Sequence, residues 1–386
     1  MKGQRMEKGR GSRITTLRHL LGLNQTALSG LSGISQSHIS LMERGERAVT
    51  ATAVESIAQA TKTPSTFFDV DYAGPWEEIS FRKMATTSAV SRDGAIARFN
   101  ELERLAIQLG VLVSFPEPVL PSAEGDISGD DIERLAAETR SALGLEPNDP
   151  VLNLTRSLER RGVVIAPIND SDENLLGGHD GASRPSQSPR RPVIAYVSGK
   201  AGDRERFTKA HELGHLVLHS HRSFVLDKIK EREAHRFAGA FLVPAAEMRE
   251  SVSESLALNG YLVLKAQWGI SIAALVTRAH ELGIISDSRR KSLMVQISYK
   301  GWRKLEPVEV APEAPLLMRQ MLTKGFGPSP YMKAASALGI PPQFLRDWAP
   351  GATESSSSLP VIERPGATNV VPLFAPGRNR VSGNAS

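Results

Sequence analysis

The segment RFTKAHELGHLVLH, residues 206–219, constrains this chain more than any other. Leu213, Leu216, Val217 and Leu218 give it the apolar stripe of a helix that must lie on a core. His211 and His215 stand four residues apart, so one helical turn brings them to the same face. Two imidazoles so placed can share one zinc ion, leaving the other positions to a carboxylate and a water. Glu212 lies about 100° round the helix from His211. It can stand beside the metal as a general base without being a ligand, where zinc lowers the pKa of water towards 7. The plain alternative is an amphipathic helix whose histidines only pack. The clustering of five of the nine histidines between 211 and 235 speaks for the metal. With no cysteine in the chain, thiolate sites and disulfides are excluded, and a transition-metal site must combine His with Asp or Glu.

The third ligand is less direct. His219 continues the stripe, but three histidines at this spacing span about 12 Å of straight helix, too far for one small ion. His221 has the spacing of the last histidine in the extended HExxHxxGxxH pattern, yet Leu218 stands where that pattern needs a glycine turn. Both are read as outer or surface residues. The next helical stretch, EREAHRFAGAFLVP (231–244), offers Glu231 and Glu233. Phe237, Phe241 and Leu242 mark its buried stripe. Glu233 lies four residues before Phe237 and shares that side, whereas Glu231 lies about 200° round from Glu233. The expected metal set is therefore His211, His215 and Glu233, with Glu212 as base. A second HELG, at 280–283, is followed by Ile284 and lacks the second imidazole. His280 is read as a surface or packing residue.

The N-terminal part carries a different signal. Residues 1–50 hold eight Lys/Arg against three Asp/Glu, which is the whole of the chain's net charge of +5. A basic head on a neutral body fits a polyanionic partner, or else a solvated basic tail. Residues 13–70 read as short helices separated by Gly22, Gly33 and Gly45. The turn Ser32-Gly33-Ile34 sets one helix across the next, as in a helix-turn-helix, with Ile34 plugging the gap. Ser35, Gln36, Ser37 and Ser40 then start a helix with short polar groups and an amide suited to base edges and phosphates. Gln25 opens the preceding helix, whose N-terminus can bind phosphate.

Along the rest of the chain, 71–90 reads as a connector and 91–113 as a helix. The proline-rich run 114–126 marks a boundary. VVIAPI and PVIAYVS are strands flanking a loop at 177–191. Residues 246–349 are mostly helical, with Trp268, Trp302 and Trp348 as anchors. Residues 259–304 have the rhythm of a second helix-turn-helix and are read as packing on the metal domain. No run of about 18 apolar residues suggests a membrane span, and the basic N-terminus has no apolar core of a secretory signal, so a cytoplasmic location is expected. No phosphate-binding glycine loop is found.

Two resemblances follow from these motifs. Gln25-x-x-Leu28-Ser29-x-x-x-Gly33-Ile34-Ser35-x-x-x-Ile39-Ser40-x-x-Glu43-x-Gly45 resembles the Cro/CI-type (XRE) helix-turn-helix. That implies a double-stranded DNA operator met by Gln25, Ser35, Gln36, Ser37 and Ser40, and paired half-sites read by a homodimer. Residues 206–219 and 231–244 together resemble the ImmA/IrrE metallopeptidases over about 127–300. That implies a gluzincin-like zinc fold that cleaves repressor-type proteins, with His211, His215 and Glu233 on the metal and Glu212 as base. His235 departs from the asparagine common in this family. The expected fold class is mainly α with a small β-sheet (α+β): an all-α helix-turn-helix domain, a gluzincin-like zincin domain and a helical C-terminal region. The expected organisation is 1–70 DNA-binding, 71–126 linker and connecting helix, 127–304 zinc peptidase, 305–350 helical, and 351–386 a disordered tail. The expected function is a DNA-binding regulator whose Zn2+-dependent endopeptidase cuts a partner repressor or the chain itself near 71–90. The alternative is a non-enzymatic transcription factor or antitoxin-type regulator that uses the zincin-like domain as a sensor or dimerisation platform.

Overall fold

Capping residues start the helices of the N-terminal part where the sequence places them. Asn24, Ser35 and Thr50 each accept a backbone N–H three residues on. Gly22, Gly33 and Gly45 all adopt positive φ, the turn conformation that glycine adopts without a steric penalty. The result is α1 (Lys2–Leu20), α2 (Gln25–Ser32), α3 (Gln36–Glu43) and α4 (Ala51–Thr61), closed by a 3-10 turn at Ser65–Asp69. Leu28, Ile39, Met42 and Ile57 are buried between them, and Ile34 packs against the same core.

The computed structural model describes residues 2–70, 79, 89–168, 180–185, 191–222 and 224–351, with side chains from residue 9. The connector expected at 71–90 lies almost wholly outside these residues, as do most of the loop at 177–191 and all but the first residue of the expected tail. The described chain continues with α5 (Ala89–Leu112), α6 (Gly129–Ala142) and α7 (Leu154–Glu159). Then come strands β1 (Val164–Ile168), β2 (Gly181–Ser183) and β3 (Val193–Val197). After them run α8 (Gly202–His219), α9 (Asp227–Leu242), α10 (Ala245–Ser251), α11 (Gly260–Trp268), α12 (Ile272–Glu281) and α13 (Asp287–Tyr299). The last helices are α14 (Leu317–Phe326), α15 (Tyr331–Leu338) and α16 (Pro342–Trp348). This is the mainly α fold with one small sheet that the sequence leads one to expect.

The sheet has the order β1-β3-β2, parallel between β1 and β3 and antiparallel between β3 and β2. Both faces are covered, and alternate residues divide between two cores. Val164, Ala166, Ile168 and Ala195 join the core of the N-terminal helices, α5 and α14–α16. Ile165, Ile194 and Tyr196 join the core of α6–α13. Within the second core, α12 buries Ile272, Leu275, Val276 and Ala279, so the stretch with a second helix-turn-helix rhythm does pack on this domain. Trp268 and Trp348 are buried, while Trp302 is only partly so. No single described helix is long and apolar enough to cross a membrane.

The 91–113 region does more than connect. On α5, Glu101 pairs with Arg13 of α1 and with Arg104, and all three are 2 % exposed or less. Arg104 also donates to the backbone oxygens of Leu338 (2.8 Å) and Gly339 (3.1 Å) at the end of α15. Glu103 and Asn100 receive Arg184, which follows β2 directly. The C-terminal helices are clasped reciprocally. Glu313 accepts the backbone N–H groups of Leu154 and Thr155 at the start of α7. Glu159 at the end of α7 accepts those of Leu316 and Leu317 at the start of α14. Carboxylates at helix N-termini satisfy donors that have no partner within the helix.

Candidate functional site

Close approach of α9 to α8 creates the site. A Cβ on Gly214 would stand 3.0 Å from the Phe237 ring and 3.2 Å from the Ala234 backbone, so any side chain here would require these neighbours to give by a few tenths of an ångström. On α8, His211 Nε2 and His215 Nε2 are 3.1 Å apart. On α9, Glu231 Oε2 lies 3.4 Å from His211 Nε2, and Glu231 Oε1 lies 3.4 Å from His215 Nε2. A zinc with ligands at about 2.0–2.1 Å in tetrahedral geometry separates its donors by roughly 3.3–3.4 Å. The separations are of this order, with a different Glu231 oxygen towards each imidazole, and the three residues form a group among the described residues whose donor atoms lie within 4.8 Å of one another. Burial is graded: His215 is 1 % exposed in its side chain, Glu231 11 % and His211 18 %. The site thus opens on the side of His211. Burial pushes the Glu231 carboxyl up, but the facing imidazoles outweigh it and hold the group well below the usual carboxylate range.

Glu233, expected in the donor set, does not face this pair. It is buried, as its spacing from Phe237 predicts, but beneath the C-terminal end of α8. There its Oε2 accepts from Arg222 Nη1 at 2.8 Å and lies 3.1 Å from His219 Nε2. The two glutamates lie about 200° apart round α9, so one faces the groove and the other the core. Glu231 and His235, one turn apart, occupy that groove side. His219 is buried behind His215, so of its two expected places, outer or surface, it takes the first. Burial, then the neighbouring His215 and Arg222, push its pKa down to about 2. His221 is exposed. His280 is half-exposed at the end of α12, 3.8 Å from Asp287, as expected of a surface residue.

Glu212 turns towards β2. Its Oε2 accepts a 2.7 Å hydrogen bond from Ser183 Oγ. A Cβ on Gly181 would meet Thr208 Cγ2 at 2.6 Å and Glu212 Cγ at 3.0 Å, so β2 passes α8 at glycine distance. Ser183 went unnoticed in the sequence because Gly-Ala-Ser has no strand pattern and lay in a stretch read as loop. An open groove of about 1970 Å³ runs past His211, Glu212, Glu231 and His235, with Trp302 and Lys265 further along it. The His235 ring sits 4.9 Å from that of Phe207.

The other expected site lies on α2 and α3. Ser35, Gln36 and Ser37 are exposed, and Gln25 and Ser40 are half-exposed. Gln36 Nε2 donates to Gln25 Oε1 at 2.7 Å, and Gln25 Nε2 donates to Glu43 Oε2 at 2.8 Å. Arg18 grips both oxygens of Glu43. This chain of bonds holds the two glutamine amides together at the start of the helix pair.

Comparison with known families assigns both parts. Residues 11–66 match the model of a helix-turn-helix domain, and residues 158–280 match that of the IrrE N-terminal-like domain, a peptidase family. No curated protein matches the chain. The chain thus joins an N-terminal XRE-type helix-turn-helix domain to an IrrE N-terminal-like domain, as the two resemblances in its sequence imply.

Proposed function

We propose that this protein is a DNA-binding transcriptional regulator with a working zinc endopeptidase, whose substrate is a repressor-type protein or the chain itself. The reading rests on one observation above all: His211, His215 and Glu231 converge at zinc-donor separations beside Glu212 and an open groove. In it, His211, His215 and Glu231 hold the metal. Bound zinc supplies Lewis acidity, polarising a peptide carbonyl and strengthening water as a nucleophile near neutral pH.

The chain's own residues do the rest. The groove receives an extended peptide and lays one of its bonds between Glu212 and His235. Glu212 takes the proton of the attacking water and passes it to the departing amine. The Ser183 hydroxyl keeps one carboxylate oxygen occupied and so fixes the direction of the other. The α2–α3 face reads the operator, with Gln25, Ser35, Gln36, Ser37 and Ser40 at the DNA, and a homodimer reads paired half-sites. A partner cut in trans and self-cleavage near 71–90 are both open to this site.

A second reading, a non-enzymatic regulator that uses the metal domain as a sensor, is favoured by the shared core. Arg13 of the head and Arg184 beside β2 both bind α5. Incubation with zinc separates the two. Cleavage of an XRE-type repressor or of the chain, abolished by a chelator and restored by zinc, supports the peptidase. A zinc-loaded chain that leaves both intact supports the sensor.

A further inference from the structure

The residue displaced from the expected ligand set has a function of its own. Glu233, His219 and His215 form a continuous hydrogen-bonded line that ends at the metal site. His219 Nε2 lies 3.1 Å from Glu233 Oε2, and His219 Nδ1 lies 3.0 Å from His215 Nδ1. His215 Nε2 then faces His211 and Glu231. Arg222 anchors the far end, donating to Oε2 of Glu233 at 2.8 Å and to Oε1 at 3.3 Å. Arg222 is itself fastened by a 2.6 Å bond to the backbone oxygen of Gly125. Glu233, His219, His215 and Arg222 are all buried.

We infer that His219 and Glu233 are positioning residues that set His215 in its metal-binding tautomer before any ion arrives. The inference rests on the zinc reading above. Proton placement follows from the partners. Glu233 is paired with a buried guanidinium and only accepts, so His219 must donate from Nε2. With one proton on each ring, His219 then has a bare Nδ1 and accepts from His215. His215 accordingly carries its proton on Nδ1 and turns an unprotonated Nε2 towards His211 and Glu231. With one proton on each ring, any other arrangement sets two protons or two lone pairs face to face, either between the rings or between His219 and Glu233. Ligand histidines generally gain orientation and basicity from such a partner. Here the partner is a second histidine, which extends the line by one ring to a carboxylate that is not itself a ligand.

The test uses the full chain, zinc as the probe and two readouts. Competition with a chromophoric chelator gives the zinc affinity of wild type, His219→Phe and His219→Asn. Long-range 1H–15N correlation gives the His215 tautomer in metal-free wild type. His219→Phe fills the space but accepts nothing and is expected to weaken zinc binding about 10–100-fold. His219→Asn places an oxygen near the old Nδ1 and is expected to recover most of that loss. Metal-free His215 is expected in the Nδ1–H form. A His215 found in the Nε2–H form overturns the inference even where the variants fail to fold. So does a His219→Asn protein as weak as His219→Phe, or a His219→Phe protein with wild-type affinity. Wild type that binds no zinc overturns the metal reading together with the inference, whereas wild type that binds zinc no better than both variants overturns the inference alone.

Discussion

Exchanging the fates of two glutamates tests the geometry of the site. Glu231 and Glu233 are two residues apart on α9, yet one faces the imidazoles and the other faces Arg222. Glu233→Ala leaves the Arg222 guanidinium, 2 % exposed, buried without its carboxylate. Removing one partner of a buried pair costs about 3–5 kcal/mol. At roughly 2 °C per kcal/mol for a chain of this size, the metal-free protein should unfold about 6–10 °C lower. Its three donors remain, so it should still take up one zinc at saturation. Glu231→Ala removes a partly buried groove-side carboxylate that faces two imidazoles, and about 1 kcal/mol or less is expected. That variant should keep the stability of the metal-free chain and lose zinc. The assays are thermal unfolding without metal and zinc content by mass spectrometry after equilibration. A Glu231→Ala protein that retains zinc, beside a Glu233→Ala protein that loses it, would refute the reasoning and restore Glu233 as the ligand.

Three further outcomes are expected. Gly181→Ala drives a methyl group into Thr208 and Glu212, and it should lower peptidase turnover about 100-fold while zinc content is unchanged, because small misplacements of a reacting group cost that much. Gln36→Ala should weaken binding to an operator selected from random sequence by about 1–3 kcal/mol at fixed salt, and Glu43→Ala, which releases the Gln25–Gln36 pair, should weaken it in the same direction. Burial pushes Glu101 up, but Arg104 and Arg13 outweigh it, so its folded pKa lies below the unfolded one. The unfolded chain therefore takes up the proton first on acidification. The stability this group supplies is complete above the ordinary glutamate range, near 4.3, and is lost as pH falls below it. Glu101→Gln should lower the unfolding temperature at pH 7 and flatten its acid dependence, and an unchanged acid limb would contradict the role given to this pair.

Much of the fold could be read locally. Caps, glycine turns and the spacing of Leu28, Ile39 and Met42 lie within a few residues of the structure they specify, so the helix-turn-helix was legible. So was the pair of helices that carries His211, His215 and the acidic residue. What stayed hidden depends on distant partners. The helix α5 carries Glu101, Glu103 and Arg104, which look like a solvated connector until Arg13, Arg184 and the end of α15 are brought to it. Strand β2 is three small residues, recognisable only through its pairing with β3. The choice of Glu233 followed the rule that the inward side of a helix is the important one. That rule finds a buried glutamate, but it does not show that Glu231 is the one that faces the two imidazoles. His219 shows the same limit: its stripe is visible in the sequence, while its contact with Glu233 is not.

The most direct measurement sets wild type against Glu212→Gln. Both are purified without chelators, assayed for bound zinc by mass spectrometry, and followed by intact mass with zinc, alone and with an XRE-type repressor. One zinc per chain in both proteins, with cleavage by wild type only, is the predicted result. Cleavage by Glu212→Gln at the wild-type rate, or no zinc in either protein, would contradict the account.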